Sequence, residues 1–149
     1  MIGQTNIPEL TIRGMMPLFF ILIVTTVSQS AIAQDEVPQY VVEDGMVDKA
    51  TFNGYRRFHG ICHTCHGQDA MGSTFAPSLV ESLKDVSYET YKTTLIEGRT
   101  VTNSDGSVSA MPSMSENIDV MKYQGDIYRY LKARSDGVLG PGRPKKIPK

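Results

Sequence analysis

Apolar residues recur at helical spacing in three stretches of the chain, and polar or glycine-bearing segments divide them. Phe52, Tyr55 and Phe58 stand at three-residue steps, which line one face of a helix. Asp48 precedes them with a side chain suited to an N-cap, so a helix is expected from there to about His59. Gly54 lies inside it. Glycine costs about 1 kcal/mol there relative to alanine, so its presence points to close contact with another backbone. Tyr88, Tyr91 and Leu95 form a second stripe, with Ser87 as its cap and Gly98 as its stop. The third stripe runs from Val120 to Arg134 through Tyr123, Ile127, Tyr130 and Leu131. Asp119 is its expected cap, Lys132 and Arg134 suit the negative end of its dipole, and Gly137 can end it.

Shorter signals fill the gaps. Ser78 with Glu81 three residues later is a capping-box pattern for one turn of helix. Residues 67–76 have no period and are expected as a loop. Asp105-Gly106 marks a turn flanked by Val101 and Val108, which predicts a small hairpin. One carboxylate there is too few for a calcium loop. The expected fold class is all-α with a short β-hairpin insert.

The ends are different in composition. After Arg13, the run from Met15 to Val27 is apolar, and Ala31 and Ala33 give an A-x-A pattern. This predicts a secretory signal peptide over residues 1–33, cleaved near Ala33, and a periplasmic mature protein. The run falls short of the roughly 20 residues that a membrane span needs, so no stable span is expected in the mature form. Residues 34–47 are expected as an extended N-terminal arm and 48–134 as one small domain. Residues 135–149 mix proline and glycine with Arg143, Lys145, Lys146 and Lys149. That composition predicts a basic extended tail without a core of its own, either ordering on a partner's acidic surface or staying solvated with no role. The formal net charge is −1, and no basic stripe interleaved with aromatics suggests nucleic acid.

The chemistry is concentrated in Cys62-His63-Thr64-Cys65-His66. C-x-x-C-H is the signature of covalent c-type haem attachment. Two thiols one helical turn apart can form thioethers to the two vinyl groups of one porphyrin, and His66 then supplies an axial imidazole to the iron. These are the chain's only two cysteines. A zinc site needs four ligands, and the remaining His59 and His63 crowd the same turn. A thiol oxidoreductase would place its C-x-x-C in a βαβ context, and no strand–helix alternation surrounds residue 62.

His59 and His63 are also too near the attachment turn to reach the opposite haem face. Met111 fits best as the second axial ligand, because it lies in a later loop and precedes the restraining Pro112. Met114 is the alternative. Met46 and Met71 lie too close to the first helix and the attachment turn, and Met121 is better placed for core packing. A closed His/Met site argues for an electron carrier rather than an enzyme.

Residues 48–134 resemble a class I cytochrome c. Gly54, Phe58 and Cys62 stand at the family's steps of four, and Asp126-Ile127-Tyr128-Arg129-Tyr130-Leu131-Lys132 is similar to its last helix. The resemblance implies that Gly54 lets the first and last helices cross, with Ile127 and Tyr130 at the crossing. Ala76-Pro77-Ser78-Leu79 resembles the loop whose proline carbonyl accepts the Nδ1 proton of the axial histidine, which implies that role for Pro77. Ala110-Met111-Pro112 resembles the methionine-ligand loop, although Met114 replaces the aromatic usual three residues on. Without tryptophan, propionate contacts are assigned to Arg99 and Tyr91 as the available candidates.

The last helix followed by Ser135-Asp136-Gly137-Val138-Leu139-Gly140-Pro141-Gly142-Arg143-Pro144, with the long polar segment before Met111-Pro112, is similar to small periplasmic cytochromes that accept electrons from quinoprotein alcohol or methanol dehydrogenases. That likeness implies one haem c, a PQQ-dependent dehydrogenase as donor, and another cytochrome or a terminal oxidase as acceptor. The alternatives are a cytochrome subunit fixed to a dehydrogenase complex and the C-x-x-C thiol oxidoreductase.

Overall fold

A computed structural model describes residues 36–148. The expected signal peptide, residues 1–33, lies outside the described residues. Two short strands, β1 (Val42–Glu43) and β2 (Met46–Val47), form an antiparallel pair. Asp44 and Gly45 join them at φ 48° and 75°, the positive values that a two-residue hairpin turn requires. The extended arm is therefore a hairpin in its second half, set by an Asp-Gly turn.

Helix α1 (Lys49–Arg57) starts where Asp48 Oδ1 accepts the main-chain N–H groups of Ala50 and Thr51 at 2.8 and 3.0 Å. The chain then widens into a π turn over Phe58–Cys62 and tightens again into α2 (His63–His66). A short 3₁₀ turn, Gln68–Ala70, follows. Ser78 caps α3 (Leu79–Ser82), and Ser87 caps α4 (Tyr88–Glu97), which stops at Gly98. The expected hairpin is present as β3 (Arg99–Thr102) against β4 (Val108–Met111), with Thr102 opposite Val108.

The last helix, α5 (Ile118–Ser135), begins two residues before its expected start. Asn117, not Asp119, is its cap: Asn117 Oδ1 accepts Val120 N–H at 3.0 Å. Asp119 lies within the first turn and pairs with Arg57 at 2.8 Å, a position that also suits the positive end of the helix dipole.

The core forms where α1 and α5 cross. Phe58, Val120, Ile127, Tyr130 and Leu131 are buried there, and the rings of Phe58 and Tyr130 lie 5.6 Å apart. The all-α expectation holds for this body, and the strands are additions to it.

The tail departs most from expectation. It is ordered within the chain itself. Leu139 is buried, Arg143 and Lys146 lie over the Phe52 ring, and β5 (Lys145–Lys146) pairs in parallel with β2. Apolar anchoring and a strand partner 99 or so positions earlier supply the order that the tail's own composition does not. Among the described residues, no helix is long and apolar enough to cross a membrane.

Candidate functional site

The end of α1, the π turn and α2 carry the attachment motif in one continuous helical run. A π turn is a local insertion often found at functional sites, and here it ends on the first cysteine of the motif, Cys62. Cys62 is half-buried and Cys65 is exposed. Burial pushes the Cys62 thiol up to about 11, and the neighbouring Cys65 adds to this. A thiol oxidoreductase depends on a depressed thiol, so this environment does not suit that alternative.

His66 is buried, and its Nδ1 donates to the Pro77 carbonyl at 3.0 Å. A carbonyl can only accept, so the bond fixes the tautomer and leaves Nε2 with a free lone pair. A second contact closes the same loop: Gly72 N–H donates to the His66 carbonyl at 2.8 Å. The Ser73 hydroxyl donates to the Cys65 carbonyl. The loop between attachment turn and α3 is thus built around His66.

His59 takes a different role. Its Nδ1 donates to the Tyr55 carbonyl at 2.9 Å, and its ring lies 4.2 Å from Tyr55 and 5.9 Å from both His63 and Tyr130. Among the described residues, no group of three or more His, Cys, Asp or Glu side chains is placed to hold a metal ion.

Met111 ends β4, and Met114 follows in the loop before α5. Among the described methionines, these two pack half-buried against the core cluster. Met71 is 58% exposed. Met114 N–H donates to the Leu95 carbonyl at 2.7 Å, and the Ser113 hydroxyl donates to the Ile96 carbonyl. Gly98 completes this anchoring. It stands at φ 76°, and a Cβ there would lie 2.6 Å from the Met111 carbonyl oxygen. The methionine loop is therefore fastened to the end of α4.

Together these residues fit a haem. Two thiols stand one turn apart, an imidazole has its lone pair directed by a fixed hydrogen bond, and a thioether is available from Met111, which ends strand β4 rather than lying in the expected loop. Half-buried Ile61, Leu79, Val80 and Val86 pack against the same core cluster as Met111 and Met114. The propionate candidates fare less well. Tyr91 donates its hydroxyl to the Gln124 carbonyl at 3.1 Å, and Arg99 is exposed at the start of β3. Sequence reasoning also passed over Asp69 and Arg134. Arg134 carries the ordinary signal of a basic residue at a helix C-terminus, and only the fold brings it to Asp69.

No protein-family model matches the chain. Cytochrome c-553I of Paracoccus denitrificans is 42% identical over 113 residues, which cover 75% of this chain and 50% of that protein. The chain thus spans half the length of that relative. Cytochrome c-555 of Methylococcus capsulatus (strain ATCC 33009 / NCIMB 11132 / Bath) is 37% identical over 101 residues, covering 67% of this chain and 75% of that protein. The crystal structure of the c-type cytochrome XoxG from Methylobacterium extorquens AM1 superposes with a TM-score of 0.68 at 43% identity, covering 78% of this chain and 71% of that one. The attachment turn, the His66 loop and this likeness agree: the chain belongs to the small class I c-type cytochromes, which hold one covalently bound haem c.

Proposed function

We propose that the chain is a periplasmic one-electron carrier with His66 and Met111 as axial ligands, and not an enzyme. In this reading it accepts electrons from a PQQ-dependent alcohol or methanol dehydrogenase and passes them toward a terminal oxidase, directly or through another cytochrome. The haem, when bound, supplies an iron that cycles between Fe(III) and Fe(II) without other chemistry.

The observation that carries this reading is the bond from His66 Nδ1 to the Pro77 carbonyl. It holds the imidazole in one tautomer and makes Nε2 a better donor. Cys62 and Cys65 would hold the porphyrin by two thioethers, so His66 would not have to compete for a mobile cofactor. Met111, at the end of β4 and beside Gly98, would offer a soft thioether that favours Fe(II) and raises the potential. Bound there, the thioether would also close the iron to small ligands. In this reading the haem edge near Cys65, an exposed residue of the attachment turn, would serve electron entry and exit. The dehydrogenase as donor is supported by the likeness of residues 135–144 to cytochromes of that kind.

Mass spectrometry and ligand binding test this reading. The exported protein should carry the mass of one haem on a chain starting near Gln34, and the reduced form should not bind carbon monoxide. Cys62→Ala or Cys65→Ala should leave one thioether or none. A bare polypeptide mass contradicts the attachment, and ready carbon monoxide binding contradicts the closed site.

A further inference from the structure

Arg134 is 7% exposed, although it is the most hydrophilic residue of the last turns of α5. Its Nε and Nη2 donate to the Asp69 carbonyl at 3.3 and 3.2 Å, and its Nη1 donates to the Leu139 carbonyl at 2.8 Å. A buried guanidinium is retained only where its donors are satisfied. Here they join three separate segments: the last helix, the tail beyond it, and the loop that follows His66.

The Asp69 end of this link is strained. Asp69 and Ala70 stand at φ 58° and 62°. L-residues seldom adopt that region, and two in succession persist only where the surroundings hold them. Three bonds do so. Arg134 takes the Asp69 carbonyl, Gly142 N–H donates to Asp69 Oδ1 at 2.9 Å, and the Ser78 hydroxyl donates to the Ala70 carbonyl at 3.3 Å. Ser78 directly follows Pro77, whose carbonyl receives the His66 Nδ1 proton.

We propose that Arg134 is a positioning residue for His66: by holding the Asp69–Ala70 turn, it keeps the Pro77 carbonyl against the imidazole and so fixes the direction of Nε2. His66 matters here as an iron ligand, so the proposal rests on the haem-carrier reading. Leu139 and Gly142 bring the chain beyond α5 to the same turn, which makes that segment a strap over the proximal loop.

The experiment compares holoprotein variants by the exchange of the His66 Nδ1 proton, followed by NMR in the reduced state, and by thermal unfolding. Arg134→Met should speed that exchange about tenfold or more, because the local opening becomes easier. Arg134→Lys, which keeps the charge but cannot span both carbonyls as a planar fork does, should fall between. Leu139→Ala is the control: it removes a side chain only 4% exposed from the same strap but keeps the carbonyl that Arg134 uses. It should lower the unfolding temperature and leave His66 exchange within about twofold of the parent. Equal exchange in Arg134→Met and Leu139→Ala would overturn the proposal and make Arg134 a tail anchor only. If Arg134→Met does not fold, unchanged exchange in Arg134→Lys overturns it equally. Failure of the haem reading shows separately, as a parent protein whose mass lacks haem.

Discussion

Gly54 on α1 meets the main chain of Asp126 on α5 without room for a side chain. A Cβ on Gly54 would lie 1.8 Å from the Asp126 carbonyl oxygen and 2.5 Å from its carbon. Asn53 Nδ2 donates to Asp126 Oδ2 at 2.8 Å and locks the two helices at this point. Close approach of two backbones brings Phe58 and Tyr130 into contact, and so places the attachment turn that continues from α1.

Gly54→Val should therefore be severely destabilising, on the order of 2–4 kcal/mol, because overpacking against a backbone cannot be relieved by a rotamer change. Denaturant unfolding of the two holoproteins measures it. A difference within about 0.5 kcal/mol, the usual surface scale, contradicts the crossing.

Asp48 gives a pH-dependent prediction. Burial of its carboxyl opposes ionisation, but the Thr51 hydroxyl and the N–H groups of Thr51, Val41 and Ala50 outweigh this and hold its pKa below the ordinary 3.8. A carboxylate depressed on folding stabilises above its unfolded pKa, and the contribution is lost as pH falls through the folded value. Asp48→Ala should cost about 1–2 kcal/mol at neutral pH, as lost N-caps do. The gap between variant and parent should close in acid, below 3.8. Urea unfolding across a pH series checks this, and a gap independent of pH contradicts it.

Much of this was legible in the sequence because it is local. Asp48, Ser78 and Ser87 cap the helices expected of them, since a cap is a bond within three or four residues. Gly54 announced its crossing because glycine inside a helix needs a tertiary reason. The Val101–Val108 hairpin followed from its turn dipeptide. Asn117 was missed as the α5 cap because Asp119 competes with it in type, and the choice depends on a contact with Arg57. The order of the tail could not be read from composition. It comes from β2, Phe52 and Asp69, all distant in the chain. Arg134 belongs to the same class: its burial is a property of what the fold brings to it.

The basic tail can now be tested without removing it. Lys145 and Lys146 are exposed on β5, while Lys149 lies outside the described residues. If the donor presents an acidic surface there, Lys145→Glu with Lys146→Glu should slow reduction by a PQQ-dependent alcohol dehydrogenase at low salt. High salt should shrink the difference, because screening weakens such steering. Equal rates for variant and parent at both salts would rule out the tail contact and leave the carrier reading intact.

The central claim is a closed His66/Met111 haem site, and the visible spectrum of the oxidised protein tests it most directly. Thioether ligation to Fe(III) gives a weak charge-transfer band toward the red. The parent protein should show it, Met114→Ala should keep it, and Met111→Ala should lose it together with a fall in potential. A parent spectrum without the band, or a band that survives in Met111→Ala and disappears in Met114→Ala, would contradict the account.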